Sequence, residues 1–221
     1  MTTIRAVTWD AAGTLIRVAG SVGLHYATRA AAHGLRAEPG ALDAAFPGAF
    51  QAAVAAWAVP YGRDEVDARA FWARVVAATF APLVVPAALQ RDLFDHFARP
   101  ASWEVLPGVH AAVAAVAARG LPQAVVSNFD GRLAPLLDGL GLGPFATVVT
   151  SAQVGAAKPD PAPLVAAARA LGVPPMALLH VGDSRREDGG AAAAAGVRWL
   201  EVDAAIDPAV VLAAVDGGRN G

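Results

Sequence analysis

The 221-residue sequence predicts an α/β fold, in which an all-helical cap is inserted into a doubly wound parallel sheet. Two patterns of hydrophobic residues lead to this expectation. Between residues 24 and 97 the apolar spacing is helical throughout, whereas beyond residue 100 short apolar strands alternate with helices. Such alternation is typical of a parallel sheet covered by helices on both faces.

The first strand is predicted over residues 4–9, where an apolar run ends at a polar turn. Only helices follow, and prolines separate them: Pro60 ends one helix, while Pro82 and Pro86 bracket the break before another. The four predicted cap helices cover residues 25–33, 41–59, 66–80 and 87–97. We therefore place the cap at residues 16–97.

The core is predicted to combine residues 1–15 with residues 98–221. Its second part begins with a helix over residues 109–118, after which strands and helices alternate. The further strands are predicted over residues 123–126, 146–149, 177–181 and 197–202, and the further helices over residues 132–140, 163–171, 191–195 and 208–215. This order predicts a Rossmann-like core, in which ligands bind beyond the carboxyl ends of the strands.

The composition argues against several classes of function. A formal net charge of −2 provides no basic surface for nucleic acid or an acidic membrane. The absence of cysteine excludes disulfides, thiolate catalysis and cysteine metal sites. No apolar run approaches the roughly 20 residues that span a bilayer, and the first residues lack a secretory pattern, so we expect a cytoplasmic protein. Among the 17 basic residues there is one lysine, Lys158, which makes this position conspicuous.

Polar side chains follow four of the predicted strands. They are Asp10, the pair Ser127 and Asn128, Lys158 after a short loop, and Asp183. Each alone has an ordinary explanation as a turn residue, a helix cap or a surface lysine. Because carboxyl ends of parallel strands meet at one edge of a sheet, four such positions together predict a functional site there.

The same residues carry a resemblance to the haloacid dehalogenase-like hydrolase superfamily. Residues 10–15, DAAGTL, resemble its first motif, and the strand ending in Ser127 and Asn128 resembles the second. Lys158 with Pro159 is similar to the third motif, and residues 181–188, VGDSRRED, to the fourth. The order and spacing agree along essentially the whole chain, and the helical insertion is similar to the first-position cap. Residues 127–130 also resemble the domain-containing protein 3 subgroup.

The resemblance implies a Mg²⁺-dependent phosphatase that acts on a small phosphorylated metabolite. Asp10 would be the nucleophile and would form an aspartyl-phosphate. Asp10, the backbone carbonyl of Ala12 and Asp183 would hold the Mg²⁺ ion through oxygen atoms. Asp188 would complete the metal site from just outside, orienting a water molecule or Lys158.

The resemblance also assigns the groups around the phosphoryl oxygens. Ser127 and the amides around Asn128 would donate hydrogen bonds to these oxygens, and Lys158 would neutralise charge that grows in the transition state. His180 precedes the fourth motif on a buried strand, and we interpret it as a core histidine with satisfied hydrogen bonds.

The first motif departs from the phosphatase pattern at Ala12. Phosphatases of this superfamily have a second aspartate there, which protonates the leaving group and then activates water. A methyl group can do neither, and the loss of a positioned acid/base typically costs about 10²–10⁴-fold in rate. Asp130 and Tyr26 are candidates to replace it. A Schiff-base mechanism through a cap lysine is excluded, because residues 14–157 contain no lysine.

Two alternatives stay open at this point. One is a non-catalytic relative that binds phosphorylated ligands, although such a protein has no use for a nucleophile. The other is a 2-haloacid dehalogenase, in which Asp183 would face the carboxylate of the substrate. The cap residues that could face the site are Tyr26, Trp57, Arg63 and Trp72. The sequence predicts neither the substrate nor the oligomeric state.

Overall fold

The computed structural model describes residues 2–57 and 61–217. Within these residues the chain forms seven strands: β1 (Ala6–Trp9), β2 (Ile16–Val18), β3 (Trp103–Val105), β4 (Gln123–Ser127), β5 (Thr147–Thr150), β6 (Leu178–Gly182) and β7 (Arg198–Glu201). Five of them make one parallel sheet in the order β5-β4-β1-β6-β7, and β2 pairs with β3 separately. The predicted doubly wound α/β fold is therefore confirmed.

Strand β1 lies at the centre of the sheet and fixes the position of the site. Trp9 is in register with Val125 of β4 on one side and with Val181 of β6 on the other. Every residue of β1 is buried, as expected for a central strand covered on both faces. The chain order reverses between β1 and β6, which is where such folds bind ligands.

Ten α-helices accompany the strands in the described residues. They are α1 (Val22–Ala32), α2 (Pro39–Ala56), α3 (Glu65–Thr79), α4 (Ala87–His96), α5 (Val109–Ala118), α6 (Leu133–Gly139), α7 (Ser151–Val154), α8 (Ala162–Ala170), α9 (Gly190–Ala195) and α10 (Pro208–Asp216). The predicted helices agree with these bounds within a few residues. Residues 58 and 59, predicted as the end of the second helix, lie outside the described residues, as does Pro60. No described helix is long and apolar enough to cross a membrane.

Helices α1 to α4 have hydrophobic clusters of their own. One cluster joins Tyr26 and Ala30 of α1 to Phe80 and to Leu89 of α4. A second joins Phe71 and neighbouring residues of α3 to Ala53 of α2. Helices α1 to α4 thus pack against one another through hydrophobic clusters of their own.

Two features of the fold were not predicted from the sequence. Strands β2 and β3 form an antiparallel ribbon, in which Ile16 faces Val105 and Val18 faces Trp103. Strand β2 leads the chain from the sheet into the helical segment and β3 leads it back, so the ribbon pairs these two connections. Residues Arg185–Gly189 form a π-helical turn, which directly follows β6.

Candidate active site

Asp10 lies directly after β1, at the carboxyl edge of the sheet. Its amide donates to the carbonyl of Val181 on the neighbouring strand, at 2.8 Å, so the backbone position of Asp10 is set by the sheet itself. The residue is 6% exposed and lines a cavity between the sheet edge and the cap. A carboxylate that is nearly buried yet borders a cavity is well placed for chemistry.

Lys158 lies between two carboxylates, as the third motif predicts. Its Nζ donates to Asp10 Oδ1 at 2.7 Å, to Asp188 Oδ1 at 2.5 Å and to the carbonyl of Val126 at 2.9 Å. Three acceptors match the three protons of an ammonium group. Burial opposes the charge, but Asp10 and Asp188 outweigh burial and raise the pKa of Lys158. The lysine is therefore a permanent cation at this position.

Asp188 is also tied to His180, a contact that the sequence analysis did not foresee. His180 Nε2 lies 3.0 Å from Asp188 Oδ1, and His180 Nδ1 lies 3.0 Å from the hydroxyl of Thr8. Because a carboxylate oxygen accepts hydrogen bonds, Nε2 is the donor to Asp188, and burial lowers the pKa of His180. His180 is buried and satisfied, as interpreted, but its partner belongs to the site. A lone polar residue inside an otherwise apolar strand was the available signal.

Asp183 packs against the backbone of the first motif. Thr14 Oγ1 donates to Asp183 Oδ1 at 3.0 Å. Gly13 has a φ of +99°, and a Cβ placed there would lie 2.5 Å from Asp183 Oδ2. The motif thus requires glycine for two reasons, its backbone conformation and the space for a carboxylate. Partial burial and the negative charge of Asp10 raise the pKa of Asp183.

Three carboxylates converge closely enough to hold a cation. Ligand atoms of Asp10, Asp183 and Asp188 all lie within 4.8 Å of one another, and Ala12 lines the same cavity. Oxygen donors of this kind suit Mg²⁺, which binds few carboxylates and retains water. Asp188 Oδ1 already accepts from Lys158 and His180, whereas Asp10 and Asp183 have acceptor capacity left. The donor set therefore fits the predicted ion.

The residues of the second motif have different surroundings. Ser127 is buried and lines the cavity. The side chain of Asn128 is occupied: its Oδ1 accepts from the amide of Lys158 at 2.7 Å, and its Nδ2 donates to the carbonyl of Lys158 at 2.9 Å and to Glu187 Oε2 at 3.0 Å. Asn128 therefore positions the backbone of Lys158, while only its main chain is available to a phosphoryl group.

Glu187 is a further carboxylate at the cavity that the sequence analysis did not single out. Glu187 and Asp188 both line the cavity although they are adjacent in sequence. Both residues lie in the π-helical turn, where the amide of Gly189 donates to the carbonyl of Ser184 at 3.1 Å, one residue beyond the α-helical pattern. Burial raises the pKa of Glu187, even though Lys158 acts in the opposite direction.

Asp130, one candidate for the missing acid, accepts hydrogen bonds at both of its carboxylate oxygens. Arg132 donates to both of its carboxylate oxygens, at 2.8 and 2.6 Å, and Trp72 Nε1 donates to Oδ2 at 2.9 Å. The ion pair is buried, with side-chain exposures of 12% for Arg132 and 2% for Asp130. A carboxylate engaged in this way has no free site for a proton of the substrate. It fastens the loop after β4 to helix α3 instead.

The remaining cap candidates divide into two groups. Tyr26 and Trp72 line the cavity, as does Tyr61, which the sequence analysis did not propose. Burial raises the pKa values of both tyrosines, so their hydroxyls stay neutral. Tyr61 also has a φ of 72°, an uncommon conformation for a residue with a side chain. Trp57 and Arg63 contact Asp67 instead.

The chain has relatives of known family along most of its length. The profile of the haloacid dehalogenase-like hydrolase family matches residues 4–196. The haloacid dehalogenase-like hydrolase domain-containing protein 3 of Bos taurus is 38% identical over 218 residues, which cover 94% of this chain and 86% of that protein. A phosphoglycolate phosphatase of Shigella dysenteriae is 34% identical over 202 residues, 83% of this chain and 75% of that protein.

A similar fold is found in the L-2-haloacid dehalogenase of Xanthobacter autotrophicus, solved with chloropropionic acid covalently bound. The two structures superpose with a TM-score of 0.72 at 20% identity, over 99% of this chain and 85% of that one. The family profile spans residues 4–196, the range that contains all four motifs, and the bovine protein matches 94% of the present sequence. The chain therefore belongs to the haloacid dehalogenase-like hydrolase family.

Proposed function

We propose that the chain is a magnesium-dependent phosphatase that hydrolyses a small phosphorylated metabolite through an aspartyl-phosphate on Asp10. One observation carries the proposal: Lys158 is held between Asp10 and Asp188 at a cavity that Asp183 also borders. A nucleophile, a fixed cation and a set of spare carboxylate oxygens are together the requirements of this reaction. The similarity to a phosphoglycolate phosphatase supports a small phosphate ester as the substrate.

Asp10 and Asp183, with the backbone carbonyl of Ala12, would hold the Mg²⁺ ion. When bound, the ion would offset the repulsion between the phosphoryl group and the carboxylates. Lys158 would stabilise charge on the phosphoryl oxygens, because its ammonium already contacts the oxygen atom of the nucleophile. Ser127 would donate from its hydroxyl. Asp188 would orient Lys158 and, through His180, remain anchored to the sheet.

The reaction would proceed in two steps. In the first, a carboxylate oxygen of Asp10 forms a bond to phosphorus, and the ester P–O bond breaks with its electron pair on the departing oxygen. In the second, water attacks the phosphorus, inorganic phosphate leaves and the carboxylate of Asp10 is restored. Ala12 supplies no proton in the first step and no base in the second. We therefore expect a weak enzyme in which the second step is slower than in relatives that have the acid.

Mass spectrometry after mixing with acetyl phosphate and Mg²⁺ tests the covalent step. We expect an added phosphoryl group on Asp10, its absence in Asp10→Asn, and accumulation in the parent protein on aryl phosphates. Ala12→Asp should increase steady-state hydrolysis and reduce the accumulated phosphoenzyme. The proposal is wrong if no phosphoenzyme forms and neither Ala12→Asp nor Asp183→Asn changes the rate of phosphate release.

A 2-haloacid dehalogenase is the second candidate, favoured by the largely apolar wall of the cavity. The charges argue against it. The substrate carboxylate of such an enzyme would meet Asp10, Asp183 and Glu187 at this end of the cavity. Chloride release from 2-chloropropionate without added metal would establish this alternative. Binding of phosphorylated ligands without phosphoenzyme or turnover would establish the non-catalytic one.

A further inference from the structure

The cavity has two chemically different ends. The sheet edge contributes the carboxylates and Ser127, whereas the cap contributes mostly aromatic rings. Its volume is about 450 Å³, within the usual range for sites that bind small organic molecules. A ligand whose phosphoryl group lies at Asp10 would therefore extend into aromatic surroundings.

Three of the rings stack in sequence along the cap wall. The ring centroids of Phe46 and Phe50 are 5.8 Å apart with an interplanar angle of 18°, and those of Phe50 and Trp72 are 5.8 Å apart at 26°. Phe46 and Phe50 are only half-buried by protein and line the cavity. Trp72 is held in place by its hydrogen bond to Asp130. Such a wall favours a flat apolar group, which can stack on rings that are already in position.

The cations that border the cavity are already neutralised. Arg132 donates to both oxygens of Asp130 and to the carbonyl of Phe94. Arg17 pairs with Glu104 on the ribbon. Within the described part of the chain, these two are the arginines that line the cavity. A second anionic group on the substrate would therefore have to compete with Asp130 or Glu104 for these guanidinium groups, which opposes its binding.

Polar uncharged groups of a ligand would also find few hydrogen-bond partners at the cap end. The indole N–H of Trp72 is donated to Asp130, which leaves the hydroxyls of Tyr26 and Tyr61 as the uncharged polar side-chain atoms that the described cap residues bring to the wall. Two phenols cannot satisfy the several hydroxyls of a sugar phosphate, and each unsatisfied hydroxyl opposes binding. The cap wall therefore disfavours polyols as well as dianions.

The missing acid at Ala12 points in the same direction independently. An alkoxide is a poor leaving group and departs with the help of a proton donor. A phenol has a pKa of about 10, so a phenolate departs without one. A chain that has alanine at this position, and whose nearby Asp130 is committed to Arg132, is suited to esters of that kind.

We propose that the substrate is a small aryl monophosphate, whose ring packs against the aromatic wall of Phe46, Phe50 and Trp72 while its phosphoryl group lies at Asp10. This inference rests on the proposed function for the position of the phosphoryl group. Asp10 bonds to phosphorus, the P–O(aryl) bond breaks, and the phenolate leaves with the electron pair and takes a proton from water. Attack of a second water molecule then releases inorganic phosphate.

The test compares two non-hydrolysable ligands with the same linker. Benzylphosphonate and phosphonoacetate each join a phosphonate to one methylene, and they differ in having a phenyl ring or a carboxylate. In calorimetric titrations with Mg²⁺ present, we expect benzylphosphonate to bind at least about tenfold more tightly, the scale of discrimination in an apolar pocket. Phe50→Ala should reduce the preference, and Phe50→Arg should reverse it by adding a cation. Val66→Ala, at a position 79% exposed on α3, is the control and should bind like the parent.

Equal affinities, tighter binding of phosphonoacetate, or no binding of either ligand at millimolar concentration would overturn the inference. Faster turnover of phosphoglycolate than of phenyl phosphate would also overturn it, while leaving the proposed hydrolysis intact. If the protein prefers benzylphosphonate but forms no phosphoenzyme, the proposed ligand class would be supported and the proposed hydrolysis would be wrong.

Discussion

Replacing Gly13 by alanine should separate metal binding from folding. The added Cβ would lie 2.5 Å from Asp183 Oδ2, 2.8 Å from its Cγ and 2.9 Å from Oδ1, so the carboxylate must move. The φ of +99° adds a backbone penalty, which for a residue with a side chain is about 1–2 kcal/mol. The carboxylate of Asp183 is open to solvent on one side although neighbouring groups partly desolvate it, so its displacement should lower stability little beyond this penalty.

The larger effect of Gly13→Ala should fall on the metal. Moving Asp183 also breaks its 3.0 Å hydrogen bond from Thr14, and loss of a group that orients a ligand typically weakens metal affinity by about 10–100-fold. Gly34→Ala is a matched control, because Gly34 has a φ of +75° and no atom within 4 Å of an added Cβ.

Urea unfolding and Mg²⁺ titration of both variants provide the assay. We expect both variants to lose a similar free energy of unfolding, about 1–2 kcal/mol. Only Gly13→Ala should show a larger dissociation constant for Mg²⁺. A Gly13→Ala protein that binds Mg²⁺ as the parent does would refute the proposed role of Asp183. Equal weakening in Gly34→Ala would show that the effect comes from folding.

Three further predictions concern buried or half-buried polar side chains. Lys158→Arg should abolish phosphate release, because a planar guanidinium cannot reproduce the three contacts of the ammonium to Asp10, Asp188 and the backbone; a kinetic assay with residual activity above a few per cent would contradict this. His180→Leu should lower the free energy of unfolding by about 1–3 kcal/mol, because Asp188 loses a donor, whereas His180→Gln should recover part of the loss; equal urea midpoints for the two variants would count against the contact. The hydrogen bond from Arg29 holds the pKa of Asp92 below its usual 3.8 despite partial burial. Asp92 therefore contributes stability that is present above about pH 4 and is lost as the pH falls through its lowered pKa. Asp92→Asn should therefore show a shallower loss of stability on acidification in chemical unfolding at pH 5 and pH 3, and parallel pH dependences would reject this.

The fold could be predicted because its main signals are local. Helical spacing and proline positions are readable within a short window, and α5 agrees with its predicted bounds of 109–118. The ribbon of β2 and β3 could not be predicted in the same way. Each strand has three residues, too few to show alternation, and Ile16 pairs with Val105 far along the chain. Pairings of that range depend on the packed structure.

Some residues of the candidate site could likewise be predicted from the sequence, and others could not. Asp10, Lys158 and Asp183 lie where the order of strand ends predicts, because a parallel sheet brings those ends together. Glu187 was missed because it lies between the motif residues Asp183 and Asp188 in sequence, and only the folded π-helical turn shows that it lines the same cavity. Contacts among side chains from distant segments, such as those around Asp130, carry no sequence pattern at all.

The ribbon has a consequence for how the cap could be exchanged. Val18 and Trp103 are directly opposite each other in antiparallel register, so the chain leaves for the cap and returns from it at adjacent points. A two-residue turn joining these positions would close an ordinary β-hairpin and omit the helices from α1 to α4 altogether. We therefore expect that the segment from α1 to α4 can be exchanged as a unit. Homologous chains could acquire new ligand preferences by swapping this segment, while the strand ends that bear Asp10 and Asp183 keep their geometry.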